Sequence, residues 1–429
     1  MFFLADVTLG IALFFIARLR FGSYRNISLF FSIIWMIAAA AANLGSFFGY
    51  YPVSAYVNIA LIVGALVFAA IVFIFPSRCG AVDSDFSLLS GCDSIHIRLI
   101  LILNICCILI MLPLLRDSVN TIAADGWAQL RASYYSSDNQ TMSTVQTYLL
   151  QYVVNPCRVA TIILGYILVI GRHKHGFQIL VLGIVNAIAY SVVSGGRGAL
   201  LTVLYFAAWS LVVDYQFGSR YLSRYLRPKY VLPVVFVFFS VLLITSGRSS
   251  SSDTILSVIY KNFFVGPIYL TQLLNQGVPG FIPDANYMLG WGTFGFLCNL
   301  PLTIGLVLGL GTRTSDYWIS SYLTSGNLMV GINQYSNALS TCYYTFIMDW
   351  GTLGIVIGPA LVAFASVAIV QKQKKENSVF WTGILLLWID VLFHTITGWE
   401  LLGISFFCEL FFLYIFTGIR EKRGQAKRI

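Results

Sequence analysis

Residues 53–75 read VSAYVNIALIVGALVFAAIVFIF and contain no charged side chain. An α-helix rises about 1.5 Å per residue, so a helix over this stretch would span about 35 Å, more than the bilayer core of about 30 Å. Lipid offers the backbone no hydrogen-bond partners, so a chain crosses it only as a helix or as a closed barrel. The stretch therefore predicts a membrane-spanning helix.

The same pattern recurs along the whole chain of 429 residues, of which 58% are hydrophobic and only 10% charged. Soluble domains carry about 25% charged residues, so the composition excludes a soluble globule. The short alternating segments of a membrane barrel are absent from the sequence. We expect an all-α polytopic membrane protein with about eleven transmembrane helices. The predicted spans are residues 2–17, 27–49, 53–75, 98–115, 148–170, 177–193, 199–213, 231–246, 350–370, 379–397 and 401–419.

The positive charge, formally +9, is distributed in a way that predicts sidedness. Nineteen of the 26 Lys and Arg residues lie in six short clusters between spans, as in the positive-inside pattern. If these clusters are cytoplasmic, the N-terminus lies outside and the C-terminus inside. The chain has no phosphate-binding loop, zinc-spaced Cys/His set or RNA-binding signature, so we expect a lipid bilayer and no nucleic acid as partner.

This topology places one long polar segment outside the cytoplasm and divides the chain into residues 1–246, 247–349 and 350–429. The middle segment is the predicted extracytoplasmic loop, and we expect it to be largely helical, with interfacial helices. Its apolar run 294–310 contains Pro301 and is better interpreted as re-entrant or interfacial than as a twelfth crossing. Tyr335, Leu339, Tyr343 and Phe346 recur at helical spacing, which predicts an aromatic helical face suited to sugars or to the membrane interface.

Two arginines stand out on the predicted outer side. Arg197 and Arg248 each follow a glycine at the end of a span, in the contexts Ser-Gly-Gly-Arg197 and Ser-Gly-Arg248. Glycine allows close approach of a ligand to the backbone, and the planar guanidinium fork matches phosphate oxygens. The pattern favours a site for a lipid-linked phosphate or diphosphate. The alternative is snorkelling to the interface or structural pairing with Asp214 or Asp253. Arg313 and Lys261 are weaker candidates, followed by Arg116 and Arg158.

The sequence does not single out a general base. His394 lies near the outer end of a span, where an ionisable residue suggests function, although a hydrogen-bonded structural histidine fits equally well. Other outward carboxylates are Asp284, Asp316, Asp349 and Glu400. We expect no metal site and no cofactor, and phosphate-leaving-group chemistry without a metal needs Arg or Lys to carry the developing charge. The eight cysteines do not form a disulfide framework. Cys298 and Cys342 could pair, but buried thiols acting as small hydrophobes are favoured.

The chain resembles the bacterial oligosaccharide repeat-unit polymerases of O-antigen and capsule synthesis, which are related to the O-antigen ligases. The resemblance rests on an eleven-span plan with a large outward loop and on short motifs. These motifs are Ser194-Gly-Gly-Arg197-Gly198, Ser246-Gly-Arg248, Asn333-Gln-Tyr335 and Met348-Asp-Trp-Gly-Thr-Leu-Gly354. The last run is similar to the end of the ligase motif, but Ser340 stands where the ligases have a histidine, which favours polymerase over ligase.

The resemblance implies a metal-independent, inverting glycosyltransferase of the bacterial inner membrane, with its active site facing the periplasm. Its donor and acceptor would be oligosaccharides linked to undecaprenyl diphosphate, and a chain-length regulator and a flippase would be its partners. Arg197 and Arg248, with Arg313 and Asp349, are the predicted catalytic residues. The predicted substrate-binding residues are Arg197, Arg248, Lys261, Tyr335, Asn337, Tyr343 and His394. A flippase of lipid-linked oligosaccharide and an O-antigen ligase are the competing functions.

Overall fold

A computed structural model describes residues 2–75, 84–135, 144–214, 235–241, 244–245, 255–275, 288–315, 319, 328–336 and 341–418. The protein is an all-α membrane protein: six of its described helices are long and apolar enough to cross a bilayer, and five further apolar helices are shorter. The number of crossings and their sidedness remain predictions. The helices and strands are α1 (Phe2–Phe21), α2 (Ile34–Asn43), α3 (Ala55–Ile74), α4 (Ile97–Tyr135), α5 (Thr144–Leu149), α6 (Asn155–Ile170), α7 (Gly176–Ser194), α8 (Gly198–Val213), α9 (Ile255–Phe263), α10 (Gly266–Asn275), α11 (Gly295–Val307), β1 (Leu328–Gly331), β2 (Gln334–Ser336), α12 (Cys342–Trp350), α13 (Gly354–Glu376), α14 (Val379–His394) and α15 (Ser405–Thr417).

The chain forms two compact units, and the first comprises Met1–Val82, Asp253–Gln371 and Trp388–Phe406. Its core is aromatic: Trp35 of α2 is fully buried and meets Tyr343 of α12 edge to face, with ring centroids 4.9 Å apart. The indole Nε1 of Trp35 donates a hydrogen bond to the Thr395 hydroxyl at 3.0 Å. A buried indole N–H needs such a partner, so this bond fixes the segment after α14 against α2.

The second unit comprises Asp83–Ser252, Lys372–Leu387 and Phe407–Ile429. Its helices α6 and α7 pack closely because glycines remove side chains from their interface. A Cβ atom on Gly165 would lie 2.7 Å from the Leu180 Cα, and one on Gly183 would lie 2.9 Å from Ile162. Small residues of this kind let membrane helices approach through their backbones.

The structure corrects two local predictions. Residues 116–135, expected to belong to a polar loop, continue α4 to Tyr135, and a single non-helical residue, Gly126, breaks the helix with φ 83°. Tyr335 lies in β2 and not on a helix with Tyr343, because residues 328–336 form a two-stranded antiparallel hairpin. Asn333 has φ 56° in the turn of that hairpin, a conformation that asparagine tolerates well.

The described part of the predicted outer segment is otherwise helical. α9 covers the amphipathic stretch expected there, and α10 follows it directly. α11 has 13 residues, or about 20 Å of helix, the same length as α15 in the predicted span 401–419. Whether α11 is re-entrant or interfacial is therefore still a prediction. Cys298 and Cys342 are both free thiols; Cys342 is buried, as favoured from the sequence, whereas Cys298 is partly exposed.

Candidate functional site

The turn between α7 and α8 is built from the motif Ser-Gly-Gly-Arg197. Gly195 ends α7 with φ 59°, a left-handed conformation that favours glycine. A Cβ atom on Gly195 would also lie 2.9 Å from the backbone nitrogen of Arg131 in α4. Gly195 therefore meets two requirements at once, the left-handed turn and the close approach of another helix.

Arg197 is the residue immediately before α8, and its side chain is partly buried. Its Nη1 donates a hydrogen bond to the Thr245 hydroxyl at 2.9 Å. Burial lowers the pKa of Arg197 from its ordinary value, and the positive charge of Arg131 lowers it further. A guanidinium in this position is desolvated and lies near a like charge, two conditions that an anion would relieve.

Two further arginines approach the same turn. The Nη1 atom of Arg131 would lie 3.3 Å from a Cβ atom on Gly196. Arg158 of α6 is only 3% exposed, and its Nη1 donates to the carbonyl oxygen of Ala199 at 3.0 Å. We call Arg131, Arg158 and Arg197 the arginine cluster.

The arginine cluster surrounds the N-terminus of α8, where backbone N–H groups point outward and the helix dipole favours negative charge. Guanidinium groups add charge-assisted and bidentate hydrogen bonds to phosphate oxygens. The arrangement is thus chemically suited to a phosphate or diphosphate. Arg248, the predicted partner of Arg197, lies outside the described residues, but Thr245 precedes it by only three positions in the sequence.

A second polar site lies in the first unit, around His394 at the end of α14. Its Nδ1 is 3.1 Å from a carboxylate oxygen of Glu400 and 3.5 Å from one of Asp390. The same nitrogen is 3.0 Å from the backbone carbonyl oxygen of Asp390. We call Asp390, His394 and Glu400 the carboxylate–histidine cluster.

The carboxylate–histidine cluster can act in two ways. As an ion pair it holds an imidazole between two carboxylates, an arrangement that can accept and pass on a proton. Its three ligand atoms also lie within 4.8 Å of one another, close enough to hold a metal ion. The carbonyl of Asp390 beside Nδ1 favours an N–H on that nitrogen, and a metal ligand must lack that proton. The geometry therefore favours the proton-transfer role.

Asp349 is fully buried near the end of α12. One carboxylate oxygen accepts a hydrogen bond from the Gly292 N–H at 2.9 Å, and the other accepts from the N–H and the hydroxyl of Thr293, both at 2.6 Å. These contacts give Asp349 a clear structural role, since it holds the turn before α11. The indole of Trp399 donates to the Thr293 carbonyl oxygen at 3.1 Å, which links this turn to the residue before Glu400.

The other predicted site residues of the first unit are spread out. Tyr343 is fully buried, and the Cys342 N–H beside it donates to the Thr395 carbonyl oxygen at 2.9 Å, so α12 begins next to His394. Lys261 on α9, Arg313 after α11 and Tyr335 in β2 are exposed. Asn337 lies outside the described residues. The structure thus places Tyr343, Asp349 and His394 in one region of this unit.

The structure identifies two candidate site residues, Asp390 and Arg131, that the sequence analysis did not select. Asp390 was not singled out, although its spacing of four from His394 places both on one helical face. Arg131 was not singled out either: its approach to Gly195 joins α4 to the α7–α8 turn across more than sixty positions, and no local pattern indicates that. Comparison with protein-family models, with curated proteins and with solved structures finds no match to this chain.

Proposed function

We propose that this protein is a polysaccharide polymerase that joins oligosaccharide units carried on undecaprenyl diphosphate, in the manner of O-antigen or capsule synthesis. The observation that carries the proposal is the arginine cluster at the α7–α8 turn, where Arg131 and Arg197 lie beside the N-terminus of the 16-residue helix α8. A diphosphate that leaves during glycosyl transfer gains negative charge, and preorganised guanidinium groups stabilise it.

In this proposal Arg197, with Arg248 and Arg131, holds the donor diphosphate. An acceptor hydroxyl attacks the anomeric carbon of the donor sugar from the opposite face, the bond from that carbon to the diphosphate oxygen breaks, and the configuration inverts. The undecaprenyl diphosphate departs with the bonding electrons. Arg313 and Lys261 are additional candidates for phosphate contact.

The proton of the attacking hydroxyl passes to an outward carboxylate or directly to water, since the sequence does not single out a general base. Tyr335 and Asn337 remain candidates for sugar contact, since an exposed tyrosine ring offers the stacking surface that sugars bind. The enzyme would act in the bacterial inner membrane with its site facing the periplasm, beside a flippase and a chain-length regulator.

The side of the membrane on which substrate accumulates tests the proposal. In cells whose only copy is the Arg197→Lys variant, a polymerase defect should leave carrier-linked single units on the periplasmic face, where an externally added glycosidase can cleave them. If the units are instead protected from the glycosidase until the cells are broken, substrate remains inside, and the protein would be a flippase.

A further inference from the structure

Helix α1 contains one acidic residue, Asp6. Among the described residues, only one of its two carboxylate oxygens has a hydrogen-bond partner. Asp6 is fully buried, although it lies within a helix that is apolar enough to cross a membrane. Ionisable groups in such positions are costly and pair with other polar groups or mark ion pathways. Asp6 is therefore expected to have polar partners.

One asparagine, Asn43, contacts Asp6, and a second asparagine, Asn58, contacts Asn43. The side-chain nitrogen of Asn43 at the end of α2 donates to a carboxylate oxygen of Asp6 at 2.9 Å. The same nitrogen lies 2.8 Å from the side-chain oxygen of Asn58 in α3 and 3.1 Å from the Ala39 carbonyl oxygen. An amide nitrogen has two hydrogens, so three oxygens compete for two donors.

The second carboxylate oxygen of Asp6, Oδ1, is buried and has no hydrogen-bond partner among the described residues. A buried polar atom without a partner costs about 1–3 kcal/mol, and more when it is charged. A proton on Oδ1 would remove the charge of the carboxylate but would itself need an acceptor. A cation bound at Oδ1 would replace the missing hydrogen-bond partner and neutralise the negative charge of the carboxylate.

We propose that Asp6, Asn43 and Asn58 form a binding site for an alkali-metal cation, Na⁺ or K⁺. One carboxylate and two neutral amides balance a single positive charge, which suits a low-dielectric environment. A half-turn of an asparagine amide exchanges its nitrogen and oxygen, so each asparagine can offer the cation an oxygen ligand. Such a site is independent of the glycosyl transfer proposed above.

The positions of the three residues also suit an ion that arrives from one side. Asp6 lies near the start of α1, Asn43 is the last residue of α2, and Asn58 lies near the start of α3. Each residue is within about 6 Å of that end of its helix, and in the predicted topology the start of α1, the end of α2 and the start of α3 lie on the same side of the membrane. The positive-inside pattern predicts that these ends face outward.

Carbodiimide labelling of the purified full-length protein tests the site. Dicyclohexylcarbodiimide adds as a whole to protonated carboxyl groups in apolar surroundings, and peptide mass spectrometry locates the adduct. If the cation binds with a Kd of about 10 mM, about 100 mM NaCl or KCl should slow labelling of Asp6 about tenfold relative to choline chloride, since only the cation-free fraction reacts. Comparison of NaCl with KCl identifies the ion.

Matched controls separate cation binding from general salt effects. Labelling of Glu409, a carboxylate in α15, should not differ among the three salts. The Asn43→Ala and Asn58→Ala variants should still be labelled at Asp6 but lose the protection. If a variant does not fold, the melting temperature replaces labelling: Na⁺ or K⁺ should raise it in the parent protein and not in Asp6→Asn. Equal labelling of Asp6 in all three salts, with no ion-dependent melting shift, would show a structural hydrogen bond or a buried water and overturn the proposal.

Discussion

The guanidinium of Arg197 and the hydroxyl of Thr245 are joined by a hydrogen bond of 2.9 Å. The contact connects the start of α8 with Thr245, which precedes Arg248 by three residues. Arg197 and Thr245 belong to the same compact unit. It fixes the orientation of a guanidinium that the α7–α8 turn already holds close to Arg131.

Removing the Thr245 hydroxyl should disturb substrate binding more than protein stability. Thr245→Val keeps the shape and removes the acceptor, so Arg197 should lose its fixed orientation, and KM for the carrier-linked substrate should rise about tenfold, or about 1.4 kcal/mol. Thr245→Ser retains the hydroxyl and should behave like the parent protein. Equal kinetics of the Val and Ser variants would show that the contact does not serve binding.

A lysine at position 197 should not support polymer formation in place of Arg197. Arg197→Lys keeps the charge but loses the planar fork, and we expect loss of polymer with normal protein level in the membrane. Arg248→Lys should have the same effect, because the sequence pairs the two arginines. The check is the polysaccharide ladder on a gel beside an immunoblot. Normal chain length in either variant would remove that residue from the site.

Arg131 should contribute to the anion site through its charge. Arg131→Ala should weaken diphosphate binding and reduce its dependence on salt concentration, since one cation fewer faces the ligand. Arg116→Ala is a matched control, because Arg116 lies on the same helix and is exposed. The measurement is KM at several salt concentrations. If both variants show the same salt dependence as the parent protein, Arg131 plays no part in binding.

Asp349 should prove important for stability. Asp349→Asn replaces one acceptor oxygen by a donor that faces the N–H groups of the 292–293 turn, and we expect a loss of about 1–3 kcal/mol in the free energy of unfolding. Denaturant unfolding in detergent measures it. A variant of normal stability without activity would instead support the catalytic role predicted from the sequence.

Variants of Tyr343 test whether this buried ring contacts the sugar substrate, as predicted from the sequence. Its hydroxyl is buried without a hydrogen-bond partner among the described residues, so Tyr343→Phe should leave stability nearly unchanged. A Cβ atom on Gly64 would lie 1.9 Å from that hydroxyl, so Gly64→Ala should destabilise the protein, and the double variant should recover part of the loss. Loss of activity in Tyr343→Phe at parental stability would place the hydroxyl on substrate.

The sequence predicted the membrane class and the helix positions well, because hydropathy depends on local composition. α3 begins and ends within two residues of the predicted span, and α7 and α8 are equally close. Local patterns failed where a competing signal was present. Polar residues after position 116 suggested a loop, yet α4 continues to Tyr135, and the spacing of Tyr335 from Tyr343 suggested a helix where a short hairpin forms.

The candidate site could be predicted only in part. The glycines before Arg197 were interpreted as allowing close approach of a ligand, whereas the structure shows Gly195 in a left-handed turn against the backbone of Arg131. The approach of Arg131 depends on the packing of α4 against α7, which no short motif encodes. Asp390 lies within an apolar run and was not selected from the sequence. Glu400 follows the end of α14, and its contact with His394 depends on how the chain folds after that helix.

The most direct test of the proposed function is a reaction with purified protein. The protein would be mixed with undecaprenyl-diphosphate-linked repeat units, with and without a chelator, and the products separated on a gel. We expect a ladder of joined units that persists in the chelator and is absent for Arg197→Lys. Single units that remain unjoined, while the protein moves them across vesicles, would contradict the polymerase proposal and make the protein a transporter.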